Sequence, residues 1–286
     1  MRRYVRLRAN EFPQKSTPTL DRPPRTHTGT LLRPGWIITA AHCMKGEYGG
    51  GAFGVNFVLH LDDGLRQLVV PGNKTTAYMP TEYDPLNQPL EEEFYGDIAL
   101  IYLPELVTIG NVQYPRLPES RKEINAAPVL VTGGMGMQET GQTGKTLEFV
   151  TVSLVSAVGE TPAFAPWPIE SDHFVTLDFV TLDSVVTDQD TCEGDSGGGI
   201  FIPSRPWAKE TKDFELELLA EELVGDEDVL VGVTSYGSAS LSCGAAGTFG
   251  VYTDVLYWKE WIERTIERVE REGAGASEGG SASPGR

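Results

Sequence analysis

The residues best suited to chemistry lie in one glycine-rich stretch of the second half of the chain. It reads Asp-Thr-Cys-Glu-Gly-Asp-Ser-Gly-Gly-Gly from Asp190 to Gly199. Glycine opens backbone conformations that other residues avoid, and it lets a ligand approach closely. Ser196 would therefore be exposed, and the backbone N–H groups of Gly194 and Ser196 could converge on the oxyanion of an acyl-transfer intermediate. Taken alone, the stretch fits a glycine-rich turn with a solvated serine equally well.

The order of the histidines narrows the chemistry. The spacing Gly194-x-Ser196-x-Gly198 also fits the nucleophile elbow of α/β-hydrolases, whose catalytic histidine follows the serine. The four histidines of this chain all precede Ser196; they are His27, His42, His60 and His173. An elbow is therefore excluded, whereas a triad in the order His, Asp, Ser remains open.

Two further motifs stand where such a triad needs them. One reads Thr-Ala-Ala-His-Cys and contains His42, and the other reads Asp-Ile-Ala-Leu and begins at Asp97. With Gly-Asp-Ser-Gly-Gly around Ser196, they follow the order found in trypsin- and chymotrypsin-type serine proteases. Each motif alone is a weak signal, but three in order are a strong one. The chain therefore resembles this family from about residue 10 to about residue 266.

The resemblance implies a trypsin-like serine endopeptidase. A serine hydroxyl is a poor nucleophile until a base takes its proton. Ser196 would be the nucleophile, and His42 the general base and then the acid. Asp97 would fix the tautomer of His42 and stabilise its imidazolium form. Ser235 matches the family serine that hydrogen-bonds this aspartate. A core histidine and a strand-entry turn are the plainer interpretations of His42 and Asp97, and the ordered triad outweighs them.

The resemblance also implies a pocket for long cationic side chains. Asp190 stands where trypsin-like members have an aspartate at the bottom of the specificity pocket. Gly237 and Gly250 match wall positions that must stay small, and Tyr236 stands where many relatives have tryptophan. A buried carboxylate selects arginine or lysine before the cleaved bond, because an unpaired buried charge is costly. The plainer interpretation of Asp190 is an exposed loop acid.

The three cysteines cannot all pair with one another. Cys192 and Cys243 match a pair that is disulfide-bonded in the family. Cys43 matches a family cysteine whose partner position is taken here by His27, so we expect a buried free thiol. A metal- or redox-binding module of His27, His42 and Cys43 is an alternative, but we expect no metal and no cofactor. One disulfide favours an oxidising compartment, so we expect a secreted or extracellular protein.

The N-terminal sequence bears on activation. The basic stretch 1–8 has no apolar run and does not resemble a secretory signal peptide. In the family, an amine freed at an Ile-Val-Gly-Gly start pairs with the aspartate that Asp195 matches, and this start is missing here. Either the sequence is truncated upstream or another cation replaces the amine. The alternative to an active protease is therefore a non-catalytic or zymogen-locked binding protein on the same fold.

Many short apolar segments separated by turns predict an all-β protein. The resemblance implies two six-stranded antiparallel β-barrels with a C-terminal α-helix. We expect an N-terminal segment at 1–27, partly outside the core, and a protease domain at 28–254. Within that domain, barrel one is expected at about 28–110, a connector at 111–127, and barrel two at 128–254 with an acidic, solvated insertion at 203–228. A helix at 255–270 and a disordered Gly/Ser/Ala tail at 271–286 follow.

Charge and hydropathy limit the partners. The net charge is −18, from 41 acidic and 23 basic residues, which argues against nucleic acid. No apolar run is long enough to predict a membrane span. The expected partner is a polypeptide with arginine or lysine before the cleaved bond.

Overall fold

Antiparallel strands make up most of the described chain. The computed structural model describes residues 4–9, 26–44, 55–61, 66–71, 77–84, 94–103, 114–127, 129–134, 136–137, 148–178, 191–204, 227–237 and 248–278. Most of the predicted acidic insertion, residues 205–226, lies outside these ranges, as do the predicted pocket acid Asp190 and the predicted disulfide partner Cys243.

The first half of the chain forms one seven-stranded antiparallel sheet. Its strands are β1 (Tyr4–Ala9), β2 (Thr26–Arg33), β3 (Trp36–Thr39), β4 (Val55–Leu61), β5 (Arg66–Pro71), β6 (Ala77–Tyr78) and β7 (Ala99–Tyr102). They lie in the order β5–β4–β1–β2–β3–β7–β6. We expected six strands closed into a barrel. The described residues show seven strands and no pairing that closes them, so the first barrel is not confirmed.

The additional strand comes from the N-terminal segment. Strand β1 pairs with β2 on one side and with β4 on the other. Residues 4–8 read Tyr-Val-Arg-Leu-Arg, in which apolar and basic residues begin to alternate with the period of a strand. The segment therefore contributes a central strand to this sheet.

The second half contains the predicted closed barrel. Its strands are β8 (Leu130–Gly134), β9 (Glu148–Leu154), β10 (His173–Asp178), β11 (Gly199–Ile202), β12 (Val229–Gly237) and β13 (Gly250–Asp254). Their order is β10–β13–β12–β11–β8–β9, and the pairing of β10 with β9 closes the ring. This barrel of six antiparallel strands confirms the second half of the predicted architecture.

The C-terminal helix packs against both halves. Helix α2 (Val255–Glu278) buries the predicted apolar stripe of Val255, Trp258, Ile262, Ile266 and Val269. The same core cluster contains Trp36, Ile38 and Leu100 from the sheet and Val131, Phe201 and Leu230 from the barrel. Because a five-residue apolar stripe is covered from both sides, α2 holds the two halves together.

Helix α2 is longer than the sequence predicted. We expected it to end at Glu270 and a disordered tail to begin at 271, whereas it continues to Glu278. The added segment contains Ala274 and Ala276, and alanine is the strongest helix former. A shorter helix, α1 (Arg121–Asn125), lies in the predicted connector and is capped by the Ser120 hydroxyl. No helix among the described residues combines the length and apolar character needed to cross a membrane.

Candidate active site

His42 is positioned by the end of strand β3. All four residues of β3 are buried, and the chain then makes one turn of 3-10 helix at Ala41–Cys43. The backbone N–H of His42 donates to Asp97 Oδ1 at 2.8 Å. The ring atom Nδ1 lies 2.7 Å from Asp97 Oδ2. Two contacts to one carboxylate fix both the backbone and the ring of His42, and they leave Nε2 for another partner.

Asp97 lies just before β7 and is completely buried, with 0% of its surface exposed. Besides its bonds to His42, its Oδ2 accepts a hydrogen bond from the Ser235 hydroxyl at 2.5 Å. Ser235 lies on β12 of the barrel, whereas Asp97 and His42 belong to the first half. The predicted partnership of Asp97 with His42 and Ser235 is therefore present, and it spans the junction of the two halves.

The charges of this pair stabilise each other. Burial alone would raise the pKa of Asp97, but the charge of His42 and hydrogen bonds from His42 and Ser235 lower it below its usual value. Burial alone would lower the pKa of His42, but the charge of Asp97 raises it well above its usual value, with a smaller contribution from Cys43. Asp97 therefore stabilises the imidazolium that forms when His42 takes a proton.

Ser196 lies on a turn that is bonded to both halves. Its carbonyl oxygen accepts a hydrogen bond from the Thr28 N–H at 2.9 Å, and the Thr28 hydroxyl donates to Gly194 O at 2.9 Å. The Gly197 N–H donates to Thr234 O at 2.8 Å. Because Thr28 lies on β2 and Thr234 on β12, the serine turn is held at the same junction as Asp97.

The serine turn presents two backbone donors. Gly194 has a φ of 99° and Gly197 one of 84°, values that favour glycine. The N–H groups of Asp195, Gly197 and Gly198 are all hydrogen-bonded. Those of Gly194 and Ser196 donate to no acceptor within the described ranges. Two uncommitted N–H groups beside the serine hydroxyl are what the predicted oxyanion hole requires.

Asp195 links the serine turn to the neighbouring backbone. Its carboxylate accepts hydrogen bonds from the N–H of Gly136 at 2.7 Å and of Cys192 at 2.9 Å. A Cβ atom on Gly134 or Gly136 would lie 1.9 or 2.5 Å from Asp195 Oδ1. The sequence analysis missed these two glycines, although the run Gly-Gly-Met-Gly at 133–136 is a visible signal of close backbone approach.

The contact between the serine and the histidine stays a prediction. Within the described part of the chain, no hydrogen bond joins the Ser196 hydroxyl to the ring of His42. The Nε2 atom of His42 instead lies 3.6 Å from Cys43 Sγ. Catalytic hydrogen bonds are often long before substrate tightens them. Cys43 itself is a buried free thiol, which confirms the expectation for this residue.

Two residues predicted to line the specificity pocket lie on paired strands of the barrel. Gly237 of β12 faces Gly250 of β13. A Cβ atom on Gly237 would lie 3.1 Å from Phe249 O, and one on Gly250 would lie 2.8 Å from the Tyr252 ring. A side chain at Gly250 would therefore force the Tyr252 ring to shift, and one at Gly237 would press tightly on the Phe249 carbonyl. The Tyr236 hydroxyl donates to Glu170, and its ring packs on Phe94 with 4.7 Å between ring centroids.

A second histidine–carboxylate pair contacts the turn before Asp97, and the sequence did not predict it. His173 and Asp172 are both completely buried, with 2.7 Å between Nδ1 and Oδ1. The other oxygen of Asp172 accepts hydrogen bonds from the N–H of Gly96 at 2.9 Å and from Trp258 Nε1 at 2.7 Å. Because Gly96 immediately precedes Asp97, this pair fixes the turn that presents the candidate triad carboxylate.

The hydrogen bonds around His173 indicate its protonation state. The Thr253 hydroxyl donates its single proton to Asp97 O at 2.9 Å, and it lies 3.0 Å from His173 Nε2. A doubly protonated ring satisfies these contacts, because Nε2 then donates to Thr253 while Nδ1 donates to Asp172. Burial lowers the pKa of His173, but the charge of Asp172, with smaller effects of Glu170 and Asp97, raises it above its usual value.

We expect His173→Gln to destabilise the fold most strongly in acid. The folded-state pKa of His173 lies above its unfolded value, so its stabilising effect is complete below about pH 6.5 and is lost as pH rises through the folded pKa. The measurement is the free energy of unfolding of the parent and of the variant at about pH 5.5 and about pH 8.5. The other groups titrate in both proteins, so the difference isolates His173. A difference that does not change with pH would show that folding leaves the pKa of His173 unshifted, and one that grows as pH rises would show that the buried ring is neutral.

Comparisons with known proteins agree with these observations. The model of the Trypsin family matches residues 11–262. Ovochymase-2 of Mus musculus is 26% identical over 257 residues, which cover 85% of this chain and 37% of that protein. Human mannan-binding lectin serine protease 1 is 26% identical, covering 82% and 31%. Human kallikrein-4 is 25% identical, covering 84% and 77%. The chain thus spans about a third of the first two relatives and about three quarters of the third.

Proposed function

Since this chain belongs to the trypsin family of serine proteases, we propose that it is an active endopeptidase that works through an acyl-enzyme. The observation that carries the proposal is the serine turn, on which the N–H groups of Gly194 and of Ser196 itself donate to no acceptor among the described residues. The buried Asp97 carboxylate, bonded to His42 and Ser235, supports it.

Each group would have one role in the reaction. The Ser196 hydroxyl attacks the carbonyl carbon of the scissile bond while His42 Nε2 takes its proton. The oxyanion that forms accepts hydrogen bonds from the N–H groups of Gly194 and Ser196. His42 then gives the proton to the leaving amine, and an acyl-enzyme remains. Water then attacks the acyl-enzyme with the help of His42, which releases the acid product and frees Ser196. Asp97 stabilises the imidazolium through Nδ1 in both stages of the reaction.

The finer parts of the proposal concern specificity and location. We propose that Asp190 binds the guanidinium or ammonium group of arginine or lysine before the cleaved bond. The small residues Gly237 and Gly250 on the adjacent strands support an open pocket there. A disulfide between Cys192 and Cys243 would fix the walls of that pocket, and it would suit a secreted or extracellular protein.

Two measurements test the proposal. A fluorophosphonate probe, which reacts with activated serines, should label the parent chain and not Ser196→Ala. The parent should also hydrolyse an arginyl amide, and Asp190→Ser should lower the ratio of kcat/KM for arginyl over neutral substrates by about 10² or more. Glu263→Gln on the exposed side of α2, whose side chain is 52% exposed, is the control and should not change this ratio. A folded parent chain that the probe leaves unlabelled would contradict the proposal and favour the binding-protein alternative.

A further inference from the structure

We propose that His27, His42 and Cys43 form a Zn²⁺ site through which the metal reversibly switches off the catalytic base. The regulatory part of this inference rests on the proposed function, because it takes His42 as that base. It also departs from the expectation of no metal. One ring nitrogen of each histidine and the thiol sulfur all lie within 4.8 Å of one another. They come from two neighbouring segments, since His27 lies on β2 and the other two follow β3.

The spacing of the three ligand atoms fits zinc. Zinc takes imidazole nitrogen at about 2.0–2.1 Å and thiolate sulfur at about 2.3 Å in a tetrahedron, so its ligand atoms lie roughly 3.3–3.6 Å apart. His42 Nε2 and Cys43 Sγ are already 3.6 Å apart. The widest separation, at most 4.8 Å, has to close by roughly 1.2 Å. The proposal requires the half-buried His27 ring to rotate toward the other two ligands by this amount.

Two of the ligands have no competing role in the described structure. His27 Nδ1 is buried and has no hydrogen-bond partner among the described residues. Buried polar atoms are normally bonded, so an orphan of this kind needs an explanation such as an ion. Cys43 is a free thiol. The third ligand, His42, donates its other ring N–H to the Asp97 carboxylate, as zinc-binding histidines commonly do.

The ligand types select the metal. One thiolate with two imidazoles is a soft to borderline set that suits zinc, whereas calcium and magnesium prefer oxygen. On binding, the Cys43 thiol would release its proton to solvent. The thiolate and the nearby Asp97 carboxylate would together balance the charge of the ion. Three protein ligands leave a fourth position for water.

Zinc binding and catalysis exclude each other in this arrangement. The metal would occupy the lone pair of His42 Nε2, which has to accept the Ser196 proton during catalysis. Bound zinc therefore removes the base without disturbing the serine turn, and its removal by a chelator restores the base. Zinc should thus inhibit reversibly, with both its affinity and its effect dependent on Cys43.

The binding test does not depend on activity. A tag-free Ser196→Ala chain, kept under nitrogen without reductant so that the Cys43 thiol does not oxidise, is titrated with Co²⁺ as a spectroscopic substitute for Zn²⁺. We expect one equivalent of Co²⁺ to produce tetrahedral visible bands and a thiolate charge-transfer band, both removed by added Zn²⁺. The charge-transfer band should be absent in Cys43→Ala, and His27→Gln should weaken binding at least tenfold. Absence of the charge-transfer band in the folded Ser196→Ala chain would overturn the proposal.

The activity test uses the chain with Ser196 intact. Zn²⁺ should inhibit hydrolysis of an arginyl amide, and a chelator should restore it. Each variant is compared with its own metal-free rate, and Cys43→Ala should resist Zn²⁺ at least tenfold better than the parent. Equal inhibition of both would overturn the site. Cobalt binding by a parent that hydrolyses nothing would uphold the site and refute the proposed function. An active parent that binds no cobalt would uphold the proposed function and refute the metal site.

Discussion

Replacing Asp97 with asparagine is expected to lower kcat by about 10⁴ while the fold stays intact. The carboxylate is completely buried and accepts three hydrogen bonds, from the His42 N–H, from His42 Nδ1 and from the Ser235 hydroxyl. All three partners are donors. A carboxylate can accept them all, whereas an amide offers one oxygen and a donor NH₂ group.

Neither orientation of the asparagine amide preserves the site. If its NH₂ group faces the ring, Nδ1 of His42 must accept and the ring proton moves to Nε2, so that nitrogen can no longer take the Ser196 proton. If the NH₂ group faces the His42 N–H, two donors oppose each other in a buried place. The first orientation removes the base, and the second displaces the turn that carries it.

The measurement is kcat for an arginyl amide, with the free energy of unfolding determined in parallel. Glu263→Gln is the matched control, because it also exchanges a carboxylate for an amide, at a half-exposed position on α2. It should leave kcat within a factor of about two. If Asp97→Asn retained kcat within tenfold of the parent, the assignment of His42 as the base oriented by Asp97 would be wrong.

Sequence motifs are most informative about the local segments that carry the candidate site residues. The three motifs place His42, Asp97 and Ser196 at the ends of buried strands or in tight turns, where short-range patterns are informative. The same holds for α2, whose apolar stripe has a period that only a helix satisfies. Its length was underestimated because the segment after Glu270 lacks apolar periodicity, although its alanines favour a helix.

Contacts between distant segments could not be predicted in this way. Asp172 and His173 read locally as an ordinary polar pair at the start of a strand. Their significance depends on Thr253, which lies 80 residues away in the sequence, and on Trp258, which lies 86 residues from Asp172. Hydrophobic periodicity reports which face of an element is buried, but it does not identify the polar partner across a junction.

Strand β1 was missed for a different reason. Its sequence was considered as a targeting segment, and its lack of an apolar run argued against a secretory signal peptide. The alternation of apolar and basic residues in the same stretch also fits a strand. Pairing with β2 and β4 supplies the backbone hydrogen bonds that make this strand stable, and these partners are not visible from residues 4–9 alone.

The turn that carries Ser196 should be highly sensitive to a single added methyl group. Gly197→Ala would place a Cβ atom 2.1 Å from Thr39 Oγ1 and 2.3 Å from Thr28 O, at a φ of 84°. We expect it to lower the free energy of unfolding by about 3–5 kcal/mol and to reduce activity at the same time. The parent and the variant are compared by denaturant unfolding.

The backbone of this turn cannot move aside cheaply. A shift of Gly197 away from Thr28 would break its bond to Thr234 O and the bond between Ser196 O and the Thr28 N–H, and so separate the two halves where the site is built. Gly273→Ala is the matched control, since a Cβ there meets nothing within 4 Å and alanine should stabilise the helix by about 0.5–1 kcal/mol. Adding Thr39→Ala should not rescue Gly197→Ala, because the Thr28 carbonyl remains in the way. Two outcomes would contradict this prediction: rescue of Gly197→Ala by Thr39→Ala, or a Gly197→Ala chain as stable as the parent. Either would show that contacts from the two halves do not hold the serine turn in place, so the same contacts would not explain both stability and catalysis.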